Sequence, residues 1–130
     1  MNATERQRIG SGTLFEEMAG YSRAVRVGPR VCVAGTTSTD VEGRVLALGD
    51  AAEQTRIALG CIEMALEEAG ASLADVVRTR MYITRPEDAA DVMRVHGATF
   101  TDIRPAATLV VVAALVDADM LVEIEAEAAL

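Results

Sequence analysis

Three glutamates, Glu123, Glu125 and Glu127, alternate with Val122, Ile124 and Ala126 near the end of the chain. A period of two puts the carboxylates on one face of a strand and the apolar side chains on the other. A carboxylate on such a face can position a water or move a proton. It can equally be solvated or paired, here with Arg78 and Arg80. His96 is the only histidine. It titrates near neutral pH, so it is a candidate for proton transfer, or else a helix residue packed at an interface. One histidine and scattered carboxylates offer no metal-ligand spacing, so no metal is expected. Cys32 and Cys61 lie inside apolar segments. Buried, reduced thiols are the plain expectation.

These groups must be carried by strands and helices. Tyr21 to Val27 and Val31 to Ala34 read as strands around a Gly28-Pro29 turn, and Thr36 to Gly49 reads as a loop. Asp50 opens a helix: its side chain can accept the Glu53 N–H while Glu53 reaches back, as in a capping box. Ile57, Cys61 and Ala65, with Ala58, Ile62 and Leu66 beside them, make one broad apolar face. Gly70 supplies the left-handed stop. In Asp75 to Ile83, Val77, Thr79, Met81 and Ile83 alternate with Arg78, Arg80 and Tyr82. A second helix opens at Thr84-Arg85-Pro86-Glu87, with Ala89, Val92, Met93, His96 and Phe100 as its apolar stripe. Ala107 to Leu115 is almost wholly apolar, which predicts a strand buried on both faces. Leu121 to Ala128 is the last strand.

The order implies an α+β fold, with helices on one face of a mixed sheet. Residues 1–130 fit one domain, with 1–12 a flexible or edge segment. Half the chain is apolar, 51%, with four Phe and Tyr residues and no Trp, so the core must be aliphatic. The net charge is −8, and all 12 basic residues are scattered arginines. That field repels a phosphate backbone, so no nucleic-acid partner is expected. The polar N-terminus and the absence of a long apolar run predict a cytoplasmic protein with no membrane partner. Two helices cover only one face of the sheet. An apolar second face then predicts packing against further copies of the chain, with clefts between subunits as ligand sites.

Ile103-Arg104-Pro105-Ala106-Ala107-Thr108, followed by Leu121-Val122-Glu123-Ile124-Glu125-Ala126, resembles the C-terminal signature of the RidA (YjgF) family. Gly20-Tyr21, Val33-Ala34-Gly35, the Asp50 helix with Gln54-Thr55, and Gly70 to Val77 are similar to it as well, so the resemblance runs from about Tyr21 to Ala126. It implies a chorismate-mutase-like fold with a six-stranded sheet, two helices on one face, and a homotrimer packed through its sheets. The activity it implies is hydrolysis of 2-imino acids and their enamine tautomers to 2-oxo acids and ammonia, without metal or cofactor.

Carried over by position, Glu123 is the water-positioning glutamate, Tyr21 lines the cleft and Gly35 lies beside the ligand, with Thr108 next along the ligand-binding strand. His96 takes the place of an aromatic, and near Glu123 it would serve as a proton-transfer group. Ala107 stands where the family holds its carboxylate-binding arginine. Removing one member of such a buried pair costs about 2–5 kcal/mol. The chain thus resembles a branch without that arginine, in which deamination of ordinary 2-imino acids is not expected unless Arg104 or Arg23 reaches the cleft. Three functions follow: an imine or enamine hydrolase of altered specificity, a trimer that binds a small metabolite without turnover, or the ribonuclease and translation-inhibitor activity attached to parts of the family. Acidic charge disfavours the third.

Overall fold

A computed structural model describes residues 5–130. Six strands form one mixed sheet: β1 (Arg6–Ile9), β2 (Ala24–Val27), β3 (Arg30–Thr36), β4 (Val76–Ile83), β5 (Ala106–Val111) and β6 (Val122–Ala129). Three helices accompany them: α1 (Leu14–Ala19), α2 (Ala51–Glu68) and α3 (Ala89–Phe100). The spatial order is β1-β2-β3-β6-β4-β5. Only β4 and β5 pair in parallel; β6 inserts antiparallel between β3 and β4.

Helix α2 starts as its sequence dictates. The Asp50 side chain accepts the Glu53 N–H at 3.0 Å. Glu53 does not reach back; it pairs with Arg56 at 3.0 Å, so only half of the expected capping box forms. Gly70, at φ 82°, turns the chain after the helix. Ile62 and Leu66 of α2, Val92 of α3, Ile83 of β4 and Ile124 of β6 are fully buried between the helices and one sheet face. The predicted first edge segment is strand β1, which pairs with β2; residues 1–4 lie outside the described residues. Helix α3 is preceded by a 3-10 turn at Pro86–Asp88.

Four expectations need correction. Strand β5 is not buried on both faces. It is the sheet edge, ends at Val111, and leaves Val110 at 41% and Val111 at 50% exposure. With one neighbouring strand it has cover on one side only. The uncovered sheet face is not a greasy plate either. Arg80 there meets Glu125 and Glu127 at 3.2 Å each, and Tyr82 donates to Glu125 at 2.9 Å. Cys32, alternating with buried Val31 and Val33, is exposed on that face, and Cys61 is half-buried. Val77 is exposed because a register shift between Val76 and Arg78 turns it outward.

Candidate ligand site

Glu123 projects from β6 to the face away from the helices, between buried Val122 and Ile124. The start of its strand is pinned by Gln54, a fully buried residue of α2. The Gln54 side-chain carbonyl accepts the Leu121 N–H at 2.9 Å. Its amide donates to the backbone oxygens of Asp119, at 3.0 Å, and Ala47, at 3.2 Å. Those bonds fix the chain two residues before Glu123 and tie the 37–48 loop to the same point. Gln54 belonged to the matched pattern in the sequence, but its role there was not legible.

The Glu123 carboxylate lies directly against Gly35 of β3. A Cβ at Gly35 would overlap Glu123 Oε2 and come within 3.0 Å of its Cδ. Glycine is therefore required by proximity, not by backbone conformation, since its φ lies outside the left-handed region. A register irregularity between Val33 and Thr36 marks the same spot.

Arg23, just before β2, completes the group. Its Nη1 donates to the Gly35 carbonyl at 2.6 Å and to Thr36 Oγ1 at 2.9 Å. Its guanidinium carbon is 5.7 Å from the Tyr21 ring centroid, a cation–π arrangement. Burial pushes the Glu123 carboxyl above the usual carboxylate range. The Arg23 charge pulls it down in part, and Glu125 pushes it further up. A carboxylate tuned upward exchanges protons more readily near neutral pH. Tyr21, Gly35, Arg23 and Glu123 thus come together within one chain.

The remaining candidates lie elsewhere. His96 Nε2 is 2.8 Å from Thr79 Oγ1, and its ring is 4.7 Å from that of Phe100. Thr79 is fully buried on the helix-covered face, so the sheet separates His96 from Glu123 within one chain. Burial holds the imidazole pKa below its usual value. Arg104 follows α3 in the left-handed region, at φ 52°, with its N–H on the Phe100 carbonyl at 2.9 Å. It lines a shallow groove with His96, Gly97 and Pro105. Ala107 and Thr108 are exposed on β5, in register with Thr79 and Arg80.

A cavity of about 550 Å³ opens beside Gly35. Its walls come from α1, the 37–48 loop and one flank of α2, and Arg23 and Gly35 also line it. Sequence reasoning missed both the cavity and α1, a six-residue helix too short to show periodicity. Among the described residues, no helix is long and apolar enough to cross a membrane.

A split β-α-β sheet backed by two long helices, with a glutamate and a close-approach glycine on the open face, defines a chorismate-mutase-like protein of the YjgF kind. Residues 13–130 match the family described as Endoribonuclease L-PSP, and the chain belongs to this RidA (YjgF) family. A solved member of the YjgF/YER057c/UK114 family from Mycobacterium tuberculosis is 49% identical, with a TM-score of 0.88 over 97% of this chain and 100% of that one. The YjgF gene product of E. coli is 29% identical, with a TM-score of 0.81 over 95% and 98% of the two chains. A 3-aminoacrylate deaminase, RutC, of Acinetobacter baylyi is 36% identical over 82% of this chain and 84% of its own length.

Proposed function

We propose that this protein is a metal-free hydrolase of small imines or enamines, with Glu123 as the water-positioning base and Arg23 in the carboxylate-binding role that Ala107 leaves open. One observation carries the reading: Arg23, just before β2, and Glu123 of β6 both meet Gly35 of β3, the strand between them. The planar fork of an arginine suits a substrate carboxylate. Nη1 is engaged with the chain, which leaves Nε and Nη2 to face a ligand. In the reaction, Glu123 orients a water and accepts its proton as oxygen adds to the protonated imine carbon. The proton passes to nitrogen, and as the C–N bond breaks Glu123 takes the hydroxyl proton, so that ammonia departs and a 2-oxo acid remains. The relative named as a 3-aminoacrylate deaminase supports enamine chemistry on this scaffold.

We also place the active species as a homotrimer of single-domain subunits, packed through the open sheet face and the exposed β5 edge. Exposed Val110 and Val111 support that packing. Light scattering tests it: a stable monomer overturns it. Turnover is tested with 2-imino acids generated in situ from amino acids, following ammonia and 2-oxo acid. The reading requires activity that Glu123→Gln abolishes. Tight binding of 2-oxo acids with no turnover leaves a metabolite-binding trimer instead. RNA cleavage lost in Glu123→Ala would restore the ribonuclease activity that the chain's acidity disfavours.

A further inference from the structure

One flank of α2 has no place in the core. Ala58, Ile62 and Leu66 are on its buried side. Ile57, Cys61, Met64 and Glu68 recur at spacings of four, three and four residues, so they form a separate stripe. That stripe lines the cavity of about 550 Å³, whose other walls include Phe15 of α1 and Leu46 of the 37–48 loop. Met64 is 64% exposed, and Phe15 and Leu46 are 48% and 39% exposed. The volume falls in the range of small-molecule sites. Glu123 does not line it. Its carboxylate projects from the open sheet face, whereas α2 covers the other.

The charged groups of the wall are Arg23, Asp40 and Glu68. Arg23 stands at the Gly35 end, where its N–H also donates to the Ile9 carbonyl at 2.8 Å. Glu68 stands at the other end. Gln7 donates to its backbone carbonyl at 3.1 Å, and Arg26, in register with Gln7, donates to the Ala69 carbonyl at 2.7 Å. Residues 23 and 26 are three apart on extended chain, so the two ends are separated by about 10 Å. Arg23 is already balanced, since its charge acts on the carboxyls of Glu16 and Glu123. Asp40 is paired with Arg44 at 3.0 Å. Glu68 differs from both. Among the described residues it forms no ion pair. It is also the last residue of α2, where the helix dipole is negative and the last turn carries no basic side chain. Both effects favour a cation at the end of an apolar chamber.

We propose that this cavity is a second small-molecule site, separate from the Glu123 face, and that it takes a primary amine carried on an apolar chain. The ammonium rests on the Glu68 carboxylate at the end of α2. The chain lies along Met64, Cys61 and Ile57, with Phe15 and Leu46 covering it. The inference stands apart from the hydrolase reading, because no group of this site takes part in that chemistry except Arg23, which lies at the far end.

Calorimetric binding to the full chain tests the site without turnover, using butylamine, hexylamine, hexan-1-ol and hexanoate. Each methylene that enters the chamber tightens binding by about three- to fourfold, so hexylamine is expected to bind about tenfold tighter than butylamine. The carboxylate and the helix end together favour hexylamine over hexan-1-ol by about three- to tenfold, with hexanoate weaker than either. Glu68→Gln is expected to narrow the gap between amine and alcohol while leaving the alcohol's affinity unchanged. Met64→Trp fills the chamber from α2, and Leu46→Trp fills it from the loop; both are expected to weaken hexylamine, and the pair guards against a folding defect in either. Cys61 locates the ligand. In a Cys32→Ser chain it is the only thiol, and hexylamine is expected to slow its alkylation by iodoacetamide. No binding of hexylamine, or binding unchanged in both folded tryptophan variants, overturns the site. Hexanoate binding tighter than hexylamine, or an undiminished amine preference in Glu68→Gln, overturns the class of ligand.

Discussion

Gly35→Ala isolates the position of one carboxylate. A Cβ at residue 35 would overlap Glu123 Oε2, with Cδ at 3.0 Å, and nothing else comes within 3.4 Å of it. The backbone itself accepts alanine, because Gly35 is outside the positive-φ region. The substitution even removes freedom from the unfolded chain, a gain of about 0.4–1 kcal/mol where no strain results. Stability is therefore expected to stay within about 1 kcal/mol of wild type. The carboxylate must give way instead, by a shift on the order of 1 Å, and a misplacement of that size costs about 10²-fold in rate. The assay is kcat/KM with an imine substrate, set beside a urea unfolding curve. The expected outcome is a loss of about 100-fold in kcat/KM with an unchanged denaturant midpoint. Wild-type turnover in a folded Gly35→Ala protein would refute the placement of Glu123 as the base. A large drop in stability would refute the claim that glycine is required only for proximity.

Three further outcomes follow from the same geometry. Arg23→Met removes the counter-charge and lowers kcat/KM by about 30-fold or more, the equivalent of at least 2 kcal/mol; Arg23→Lys restores part of it by keeping charge without the fork, and full activity in Arg23→Met would exclude Arg23 as the carboxylate anchor. Ala107→Arg is tolerated at its exposed position and raises kcat/KM for 2-iminopropanoate by about tenfold or more, the worth of one charge-assisted hydrogen bond; no gain in a folded trimer would show that the family's clamp is not preserved around it. Because burial lowers the His96 pKa, the folded chain resists protonation there, so stability present above the unfolded pKa of about 6.5 is lost as pH falls through the lowered folded value. Urea midpoints at pH 7.5 and pH 5 should therefore fall more in wild type than in His96→Gln, and equal slopes would refute a neutral, buried His96.

Much of this arrangement was legible in the sequence because it is periodic. Strict alternation in Leu121 to Ala128 gave β6 and put three glutamates on one face, as observed. The Asp50 cap and the Gly70 stop bounded α2 to within a residue or two. What failed depended on sheet order, which no local pattern encodes. Ala107 to Leu115 reads as a central strand by composition, yet β5 has a single neighbour and lies at the edge. From sequence Arg104, three residues before Ala107, is the stronger candidate and Arg23 the second. The fold reverses that order, by bringing Arg23 to Gly35 and leaving Arg104 beside His96.

Sheet order also explains why a change at Ala107 can coexist with an intact Glu123. Glu123 is in register with Tyr82 and Val110, whereas Ala107 is in register with Thr79 and Ala126. Thr79 and Ala126 are buried on the helix side, so a side chain at 107 starts out on the face opposite to Glu123. The two positions are also separated by two strand spacings, about 10 Å, and by three residues along the strand, about another 10 Å. An arginine at 107 therefore cannot serve the Glu123 of its own chain; it can act only across an interface, on a second copy. Arg23 has no such restriction. It reaches the Gly35 carbonyl within its own chain, and its charge acts on the Glu123 carboxyl. With Arg23 in the proposed role, the cation acts within one chain and needs no interface.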